Sequence, residues 1–303
     1  MNYDCIIIGA GPAGITAAIY ADRAGLKTLV LEKLFVGGQV VNTAEVDNYP
    51  GFKNIMGADL VMKMEDHLKS FEVDFKREEA LKITLDNDKK TVVTKKGEYT
   101  ATTLILAMGS KPRYLNIQGE EEFRARGVSY CGTCDGALYR GKDVVVIGGG
   151  NSALEDAIFL SRMCNKVHLI HRRDEFRADK KIIKNLLNIK NVVIHYDCVG
   201  ESIGGSNTAD HIIIKNVKTG ETKKIDTSCV FIAIGQIPNN KLVENLLETD
   251  ELGYITTNLK METNQPGVFA AGDGRSNVLK QVVVAAGEGA LAAYGASVYI
   301  ATN

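Results

Sequence analysis

The sequence lacks the features that would place it in a membrane, outside the cell or on nucleic acid. No segment reaches the ~18 uninterrupted apolar residues that suggest a membrane span. The first residues have neither a basic region nor a small-residue cleavage site, so no signal peptide is predicted. The net charge is -1, which gives no whole-chain field for nucleic acid or an anionic membrane. We therefore predict a cytoplasmic protein that binds neither.

Cysteine is also scarce, and only two of the six cysteines stand at a meaningful spacing from each other. Cys131 and Cys134 form a Cys-x-x-Cys motif followed by Asp135, which is typical of redox-active dithiols. A zinc site would need about four ligands, and no second such motif or close histidine pair supplies them. We favour redox chemistry over zinc or a chance pair. The others are expected to be buried small hydrophobes: Cys5, Cys164, Cys198 and Cys229.

A glycine-rich loop follows the first predicted strand. The apolar run Tyr3–Ile8 leads into Gly9-Ala10-Gly11-Pro12-Ala13-Gly14, a predicted helix over 15–24, and a strand over 28–31 that ends at Glu32. Strand, glycine turn, helix, strand and acid in this order predict a dinucleotide-binding unit. The pyrophosphate of such a ligand faces the free N–H groups of the helix, and the acid accepts hydrogen bonds from ribose hydroxyls.

The same pattern returns later in the chain. A strand over 143–147 precedes Gly148-Gly149-Gly150-Asn151-Ser152-Ala153, a helix over 154–163 and a strand over 166–170. His171 follows Gly148 by 23 positions, as Glu32 follows Gly9. The second copy therefore has His171 where the first copy has its acid.

Arginines surround this position in the second copy. Arg172 and Arg173 follow His171, and Arg177 comes about one turn later. Arginines there accommodate the 2′-phosphate of NADPH through charge-assisted contacts. The alternative is that they pair, on a solvated face, with the neighbouring acids: Asp174, Glu175 and Asp179.

Each copy also has an antiparallel section. Alternating sequence predicts hairpins over 82–100, around Asn87-Asp88, and over 211–225, around Thr219-Gly220. The tail 253–303 has no third glycine loop, so the second domain is predicted to be inserted in the first. We predict an α/β fold with two Rossmann-like dinucleotide-binding domains, each with an antiparallel β section. Residues 1–113 plus 243–303 form the first domain, and 114–242 form the inserted domain that carries the cysteine pair.

These motifs resemble the low-molecular-weight, bacterial-type thioredoxin reductases over about residues 3–297. Three further stretches carry the resemblance: Gly37-Gly38-Gln39, Asn48–Phe52 and Thr263–Asp273. It implies a two-domain FAD/NAD(P)-binding flavoprotein that uses NADPH to reduce the disulfide of thioredoxin or a thioredoxin-like protein. It also implies a homodimer.

The resemblance assigns cofactor residues position by position. FAD is expected at Gly9, Gly11, Pro12, Ala13, Gly14, Glu32, Gly38, Gln39, Asn48, Gly109, Asp273, Lys280, Gln281 and Val282. NADPH is expected at Gly148, Gly150, Asn151, Ser152, Ala153, His171, Arg172, Arg173 and Arg177. The helix that opens at Lys280-Gln281-Val282 would turn its N-terminal N–H groups toward the reduced flavin.

The resemblance also assigns roles at the cysteine pair. Cys134 is the sulfur that faces the flavin, Cys131 is the interchange nucleophile, and Asp135 is the general acid for the departing thiolate. Because both the flavin and a partner protein must reach the pair, the family rotates one domain against the other. The two linkers are expected near 111–118 and 236–242.

The sequence departs from the common family pattern in three places. Gly132 stands where alanine is frequent, a change expected to be tolerated, and Lys280 stands where arginine is common. Ala137-Leu138 stand where many members carry aromatic residues of the docking pocket. This last difference leaves the identity of the thioredoxin open.

Other functions would leave other sequence features. A peroxiredoxin-reducing relative would need an additional N-terminal dithiol domain, for which the strand at Tyr3 leaves no room. Ferredoxin-fed relatives typically lack the NADPH signatures, and ferredoxin–NADP reductases of similar fold lack the cysteine pair. A flavin-binding redox sensor without turnover is the alternative of a different class, distinguished by the failure of NADPH to reduce its flavin.

Overall fold

The structure, a computed structural model, describes residues 2–43, 45–86 and 89–303. The chain divides into two compact units. The first comprises Met1–Thr43, Asp47–Lys111 and Ile237–Asn303. The second is formed by Pro112–Gln236, together with the short segment that ends at Val46.

The first unit is built on one seven-stranded sheet. Its strands are β1 (Asn2–Ile8), β2 (Thr28–Glu32), β3 (Asp74–Arg77), β4 (Lys82–Leu85), β5 (Lys90–Val93), β6 (Glu98–Leu106) and β17 (Val268–Ala270). Their order is β3-β2-β1-β6-β5-β4, with β17 beside β6. Strands β3, β2, β1, β6 and β17 pair in parallel, whereas β4, β5 and β6 pair antiparallel. The long strand β6 therefore belongs to both parts of the sheet.

The helices of the first unit are α1 (Pro12–Arg23), α2 (Gly57–Leu68) and α6 (Val282–Thr302), with 3₁₀ turns at Gly38–Asn42, Lys241–Val243 and Gly272–Gly274. Val243 is fully buried in the core of this unit. The units change over between Lys111 and Pro112 and between Gln236 and Ile237, whereas the sequence predicts boundaries after 113 and after 242.

Helix α6 could cross a membrane by length and composition alone. One face of this helix packs within the first unit. A Cβ on Gly289 would lie 2.1 Å from the carbonyl oxygen of Ala13, so small residues allow α6 to approach α1 closely. Its single acid, Glu288, is buried and accepts the N–H of Gly272. These contacts account for the buried face of α6, whereas its Leu291 and Tyr294 are exposed.

The second unit contains a five-stranded parallel sheet. Its strands are β8 (Val128–Ser129), β9 (Asp143–Ile147), β10 (Lys166–Ile170), β11 (Val192–His195) and β15 (Cys229–Ile232). Their order is β11-β10-β9-β15-β8. Its helices are the single turn α3 (Gly132–Asp135), α4 (Asn151–Ser161) and α5 (Lys180–Leu187), with a 3₁₀ turn at Gly136–Tyr139.

A separate antiparallel sheet completes the second unit. It consists of β12 (Cys198–Gly205), β13 (Ala209–Asn216) and β14 (Thr222–Asp226). The predicted hairpin around Thr219-Gly220 is confirmed as β13 and β14. The first predicted hairpin corresponds to the pair β4 and β5, but Asn87 and Asp88 lie outside the described residues.

Two short strands lie where the chain passes between the units. Strand β7 (Ser110–Pro112) and strand β16 (Gln236–Pro238) pair as a two-stranded sheet. The outgoing and returning segments of the chain are therefore side by side.

Candidate active site

The first glycine loop connects β1 to α1 in a conformation that requires glycine. Gly9 has φ +102°, and a Cβ on it would lie 2.3 Å from the carbonyl oxygen of Ala107. A Cβ on Gly14 would lie 1.9 Å from the carbonyl oxygen of Gly9. These two glycines let the loop, α1 and the end of β6 pack together.

Gly11 differs from its two neighbours, because a Cβ there would meet no atom within 4 Å. It is also the N-cap of α1, and no side chain caps the helix. The first N–H groups of α1 have no intrahelical acceptor and open onto this space. The space and the donors fit a pyrophosphate at the helix start.

Glu32 lies at the end of β2 with both carboxylate oxygens hydrogen-bonded. One oxygen accepts the N–H of Ala10 at 2.9 Å, and the other accepts the N–H of Leu34 at 2.8 Å. These bonds fix the carboxylate beside the glycine loop. Because an ionised carboxylate has about four acceptor positions, it can still accept from a ribose hydroxyl.

The remaining predicted FAD residues lie in the same unit. The Gly37 N–H donates to the Ala10 carbonyl at 2.7 Å, which places the turn Gly38–Asn42 beside the glycine loop. The Asn48 side-chain amide donates to the Gln281 side chain at 3.0 Å. Segments far apart in sequence thus meet around the start of α1.

Asp273 lies in the turn Gly272–Gly274, directly after β17. Burial raises the pKa of Asp273, although the nearby Lys280 opposes this shift. Lys280 donates to the Asp273 carbonyl at 3.3 Å, and its Nζ lies 3.9 Å from the ring centroid of Tyr254. Burial lowers the pKa of Lys280. The lysine, which also donates to the Asn277 side chain at 3.2 Å, is therefore held without the planar fork of arginine.

The second glycine loop repeats the first. A Cβ on Gly148 would lie 2.4 Å from the carbonyl oxygen of Ala233, at the end of β15. A Cβ on Gly150 would meet no atom within 4 Å, and Gly150 is the uncapped N-cap of α4. The Asn151 side chain is engaged in two hydrogen bonds with Asp179, at 3.0 and 2.8 Å. The open start of α4 fits a second pyrophosphate.

His171 is buried within the predicted 2′-phosphate site. Its ring stacks obliquely on Phe176, and its Nε2 lies 2.8 Å from the Glu175 carbonyl oxygen. A Cβ on Gly149 would lie 2.1 Å from the imidazole, so the ring fills the space beside the glycine loop. The ring supports the loop that carries the arginines.

The three arginines are exposed. None of them forms an ion pair with a carboxylate in the part of the chain that the structure describes. Asp174 pairs instead with Lys218 at 3.1 Å, and Asp179 bonds to Asn151. The described residues therefore show none of the ion pairs that the alternative of arginines paired with these acids requires. Their charges face outward, as a 2′-phosphate site needs: Arg172, Arg173 and Arg177.

Cys131 and Cys134 are joined by a disulfide, with their Cα atoms 5.2 Å apart. Cys131 is the N-cap of α3, and its Sγ accepts the Cys134 N–H at 3.1 Å. The carboxylate of Asp135 accepts a hydrogen bond of 2.6 Å from the Ser129 hydroxyl. The four other cysteines are free and buried, as predicted. The site therefore combines a disulfide with an anchored acid.

A second carboxyl lies against this turn. A Cβ on Gly132 would lie 2.7 Å from Cγ and Oδ1 of Asp156, on α4. Burial raises the pKa of Asp156 to about 6, and a hydrogen bond from the Gly132 backbone opposes that shift. Asp156 occupies the position that an alanine methyl group would need, which explains the glycine at 132.

Several of these residues were outside the sequence-based prediction. Asp156 and Glu288 are acids on apolar helices, a signal that could have indicated buried partners. Arg275 reaches Glu288 at 2.5 Å and supports the Gly272–Gly274 turn. Ser129 is two residues before the cysteine pair, and no pattern marked it.

The similarity of this chain to known proteins agrees with this geometry. The family model of the pyridine nucleotide-disulphide oxidoreductases matches residues 3–289. The chain belongs to this family. A protein of 34.2 kDa in the rubredoxin operon of Clostridium pasteurianum is 45% identical over 98% of this chain and 97% of its own length. The thioredoxin reductase of Bacillus subtilis is 42% identical over 98% of this chain and 95% of its own.

Among solved structures, the crystal structure of thioredoxin reductase from Streptococcus pyogenes is similar to this chain with a TM-score of 0.96 and 41% identity. The matched region covers 100% of this chain and 99% of the Streptococcus pyogenes chain. The predictions of an α/β two-domain FAD/NAD(P)-binding fold and of a thioredoxin reductase-type flavoenzyme are confirmed. The predicted cofactors, FAD and NADPH, are those of the family.

Proposed function

We propose that this enzyme uses NADPH to reduce the disulfide of thioredoxin or a thioredoxin-like protein. The observation that carries the proposal is the Cys131–Cys134 disulfide with the anchored Asp135 beside it. The second glycine loop and the unpaired arginines of the same unit support NADPH as the electron source. The first glycine loop, with the open space at Gly11, supports FAD as the carrier.

Two separate sets of residues in this chain would hold FAD and NADPH. Bound FAD supplies a two-electron carrier between the nicotinamide and the disulfide. The start of α1 and Glu32 would hold its pyrophosphate and ribose, and Asp273 its ribityl chain or pyrophosphate. The start of α4 would hold the NADPH pyrophosphate, and Arg172 with Arg173 its 2′-phosphate.

The cysteine pair passes two electrons to the partner disulfide by thiol–disulfide exchange. Two electrons open the Cys131–Cys134 bond, and Asp135 protonates the sulfur that departs as thiolate. The Asp135 carboxylate then takes the proton back from Cys131, which attacks the partner disulfide as a thiolate, forms a mixed disulfide and releases one partner thiolate that solvent protonates. Attack by Cys134 on the Cys131 sulfur restores the internal disulfide and releases the second partner thiol.

Rotation of one domain against the other would bring the pair first to the flavin and then to the partner. The proposed domains are 1–113 plus 243–303 and the inserted 114–242. The chain enters the long segment of the second unit between Lys111 and Pro112 and leaves it between Gln236 and Ile237. A crosslink between the domains should abolish turnover with a protein disulfide, and unchanged turnover would contradict the rotation.

Assembly and location follow from the family resemblance. We infer a cytoplasmic homodimer that binds neither membrane nor nucleic acid. Light scattering after size-exclusion chromatography tests the dimer, and fractionation of the producing cells tests the location.

An anaerobic NADPH titration of the flavin-loaded protein tests the proposed reaction. We expect uptake of about two hydride equivalents per subunit, one for the flavin and one for the disulfide. A Cys134→Ser variant should take up about one, because its disulfide cannot form. Failure of NADPH to bleach the flavin would favour the redox sensor instead. Turnover with thioredoxin then tests the partner.

A further inference from the structure

The Ser129 side chain connects the acid of the active site to its nucleophile. Its hydroxyl donates to Asp135 Oδ2 at 2.6 Å and lies 3.3 Å from the Cys131 carbonyl oxygen. The same oxygen accepts the Cys131 N–H at 3.1 Å. A hydroxyl has one proton, and the shorter distance assigns it to the carboxylate.

Ser129 is well placed to hold a fixed geometry. It is 5% exposed and ends β8, where it pairs with Phe231 of the neighbouring strand β15. Its position is therefore set by the parallel sheet, whereas Asp135 lies in the single turn α3. The Ser129 hydroxyl, held by the sheet, therefore restrains the Asp135 carboxyl, which the single turn α3 would leave less constrained.

Thr227 provides an internal comparison in the same unit. It is also 5% exposed, and its hydroxyl contacts the N–H and carbonyl oxygen of the residue two positions later, Cys229, at 3.3 and 2.9 Å. Ser129 makes the same pair of contacts with Cys131. Ser129 makes, in addition, the hydrogen bond to the Asp135 carboxylate. The local turn, which Thr227 shares, therefore does not account for this bond.

Three other titratable groups lie around Asp135 and the cysteine pair. Tyr139, from the turn Gly136–Tyr139, and Cys229, from β15, both interact electrostatically with Asp135. Burial raises the pKa of each, so both are neutral near pH 7. Asp156 contacts the neighbouring Gly132 from α4 and is the other acid at the pair.

We propose that Ser129 is a positioning residue that holds the Asp135 carboxyl in place to protonate the sulfur released when the Cys131–Cys134 bond opens. This inference rests on the proposed function. Asp135 delivers the proton, and Ser129 acts through Asp135. A donor to the ionised carboxylate also favours that form, so Ser129 contributes to the pH at which the acid works.

The test measures disulfide opening in the purified protein with dithiothreitol as reductant. Alkylation and mass spectrometry give the rate across pH, and each variant is expressed as a ratio to the unsubstituted protein. The ratio cancels the titration of dithiothreitol itself. We expect Ser129→Ala to lower the rate about tenfold and to shift its pH dependence, as loss of one hydrogen bond to a charged group implies.

Matched variants separate positioning from folding. Thr227→Val should leave the ratio near one at every pH, and Ser129→Thr should restore most of the rate because it keeps a hydroxyl. Adding Ser129→Ala to Asp135→Asn should cause no further loss. A Ser129→Ala ratio of one at all pH values would overturn the proposal, as would an equal loss in Thr227→Val. Since no NADPH or thioredoxin is used, failure of the proposed function gives a separate result.

Discussion

The Glu288 carboxylate lies 2.5 Å from the Arg275 guanidinium, and its second oxygen accepts the Gly272 N–H at 2.8 Å. Both side chains are largely buried, with exposed fractions of 9% and 13%. Helix α6 thereby holds the turn that carries Asp273.

Breaking this pair should therefore affect both stability and flavin retention. We expect Glu288→Gln to lower the free energy of unfolding by about 3 kcal/mol, because Arg275 loses its buried counter-charge. FAD should also dissociate more readily during gel filtration. The control is Glu201→Gln at an exposed pair with Lys215, where the expected cost is below about 1 kcal/mol. Equal effects of the two variants would contradict this role of Glu288.

The two kinds of glycine in the first loop should respond differently to alanine. Gly14→Ala forces a Cβ against the Gly9 carbonyl and should destabilise the apoprotein by about 3 kcal/mol. Gly11→Ala has free space and an allowed φ of -75°, so apoprotein stability should change by less than about 1 kcal/mol. Its FAD affinity should nevertheless fall at least about tenfold, since the methyl group occupies the pyrophosphate space. Normal flavin binding by Gly11→Ala would place the cofactor elsewhere.

Gly150→Ala repeats this test at the second loop. Its φ of -97° suits alanine, and the space in front of it is open. We expect unchanged unfolding and intact FAD, with the KM for NADPH raised at least about tenfold. An unchanged KM would show that NADPH does not contact this glycine.

Restoring the alanine common in the family at position 132 should be harmful in this chain. The new Cβ would lie 2.7 Å from the Asp156 carboxyl, so Gly132→Ala should cost about 1–2 kcal/mol and slow disulfide exchange. Combining it with Asp156→Ala should recover most of both losses. A double-mutant cycle of unfolding and exchange rates gives the coupling, and additive effects would show that the two positions do not interact.

His168 and His195 form a contact on adjacent parallel strands, with ring nitrogens 3.0 Å apart. Burial, with His168 and Lys223 adding to it, lowers the pKa of His195 to about 4. A depressed histidine pKa means that stability is full above the unfolded value of about 6.5 and is lost as pH falls toward 4.

Replacing this histidine should flatten the acid side of the stability curve. We expect His195→Asn to reduce the loss of unfolding free energy between neutral pH and pH 4 by about 1 kcal/mol, a value discounted because the ring is only half-buried. Urea unfolding at a series of pH values measures this loss. His67→Gln, at an exposed histidine of the first unit, should leave the curve unchanged. The idea fails if the two variants behave alike.

The sequence was most informative where local order determines the chemistry. The glycine loops could be predicted because strand, turn and helix must follow one another at fixed distances. The redox role of the Cys131 and Cys134 pair could be predicted from the spacing of the two cysteines. The antiparallel section of the second unit also followed from local alternation around Gly220, which has φ +78°.

Contacts between distant segments could not be predicted in this way. Asp156 meets Gly132 only because α4 packs on α3, and β6 pairs with β5 over residues 98–101 but with the distant β17 over residues 104–106. Asp174 pairs with Lys218 because the turn between β13 and β14 brings the lysine to it. This pairing leaves the arginines without that acid. Such choices depend on three-dimensional proximity, which spacing along the chain does not encode.

The pairing of β7 with β16 has a consequence for engineering and for evolution. Because the two segments that lead into and out of residues 112–236 run side by side, this block has adjacent ends. A short loop could join Lys111 to Ile237 and leave a flavin module without the dithiol. The excised block could in turn be transplanted into another host protein. Insertion of one nucleotide-binding unit into another thus needs little remodelling of the recipient.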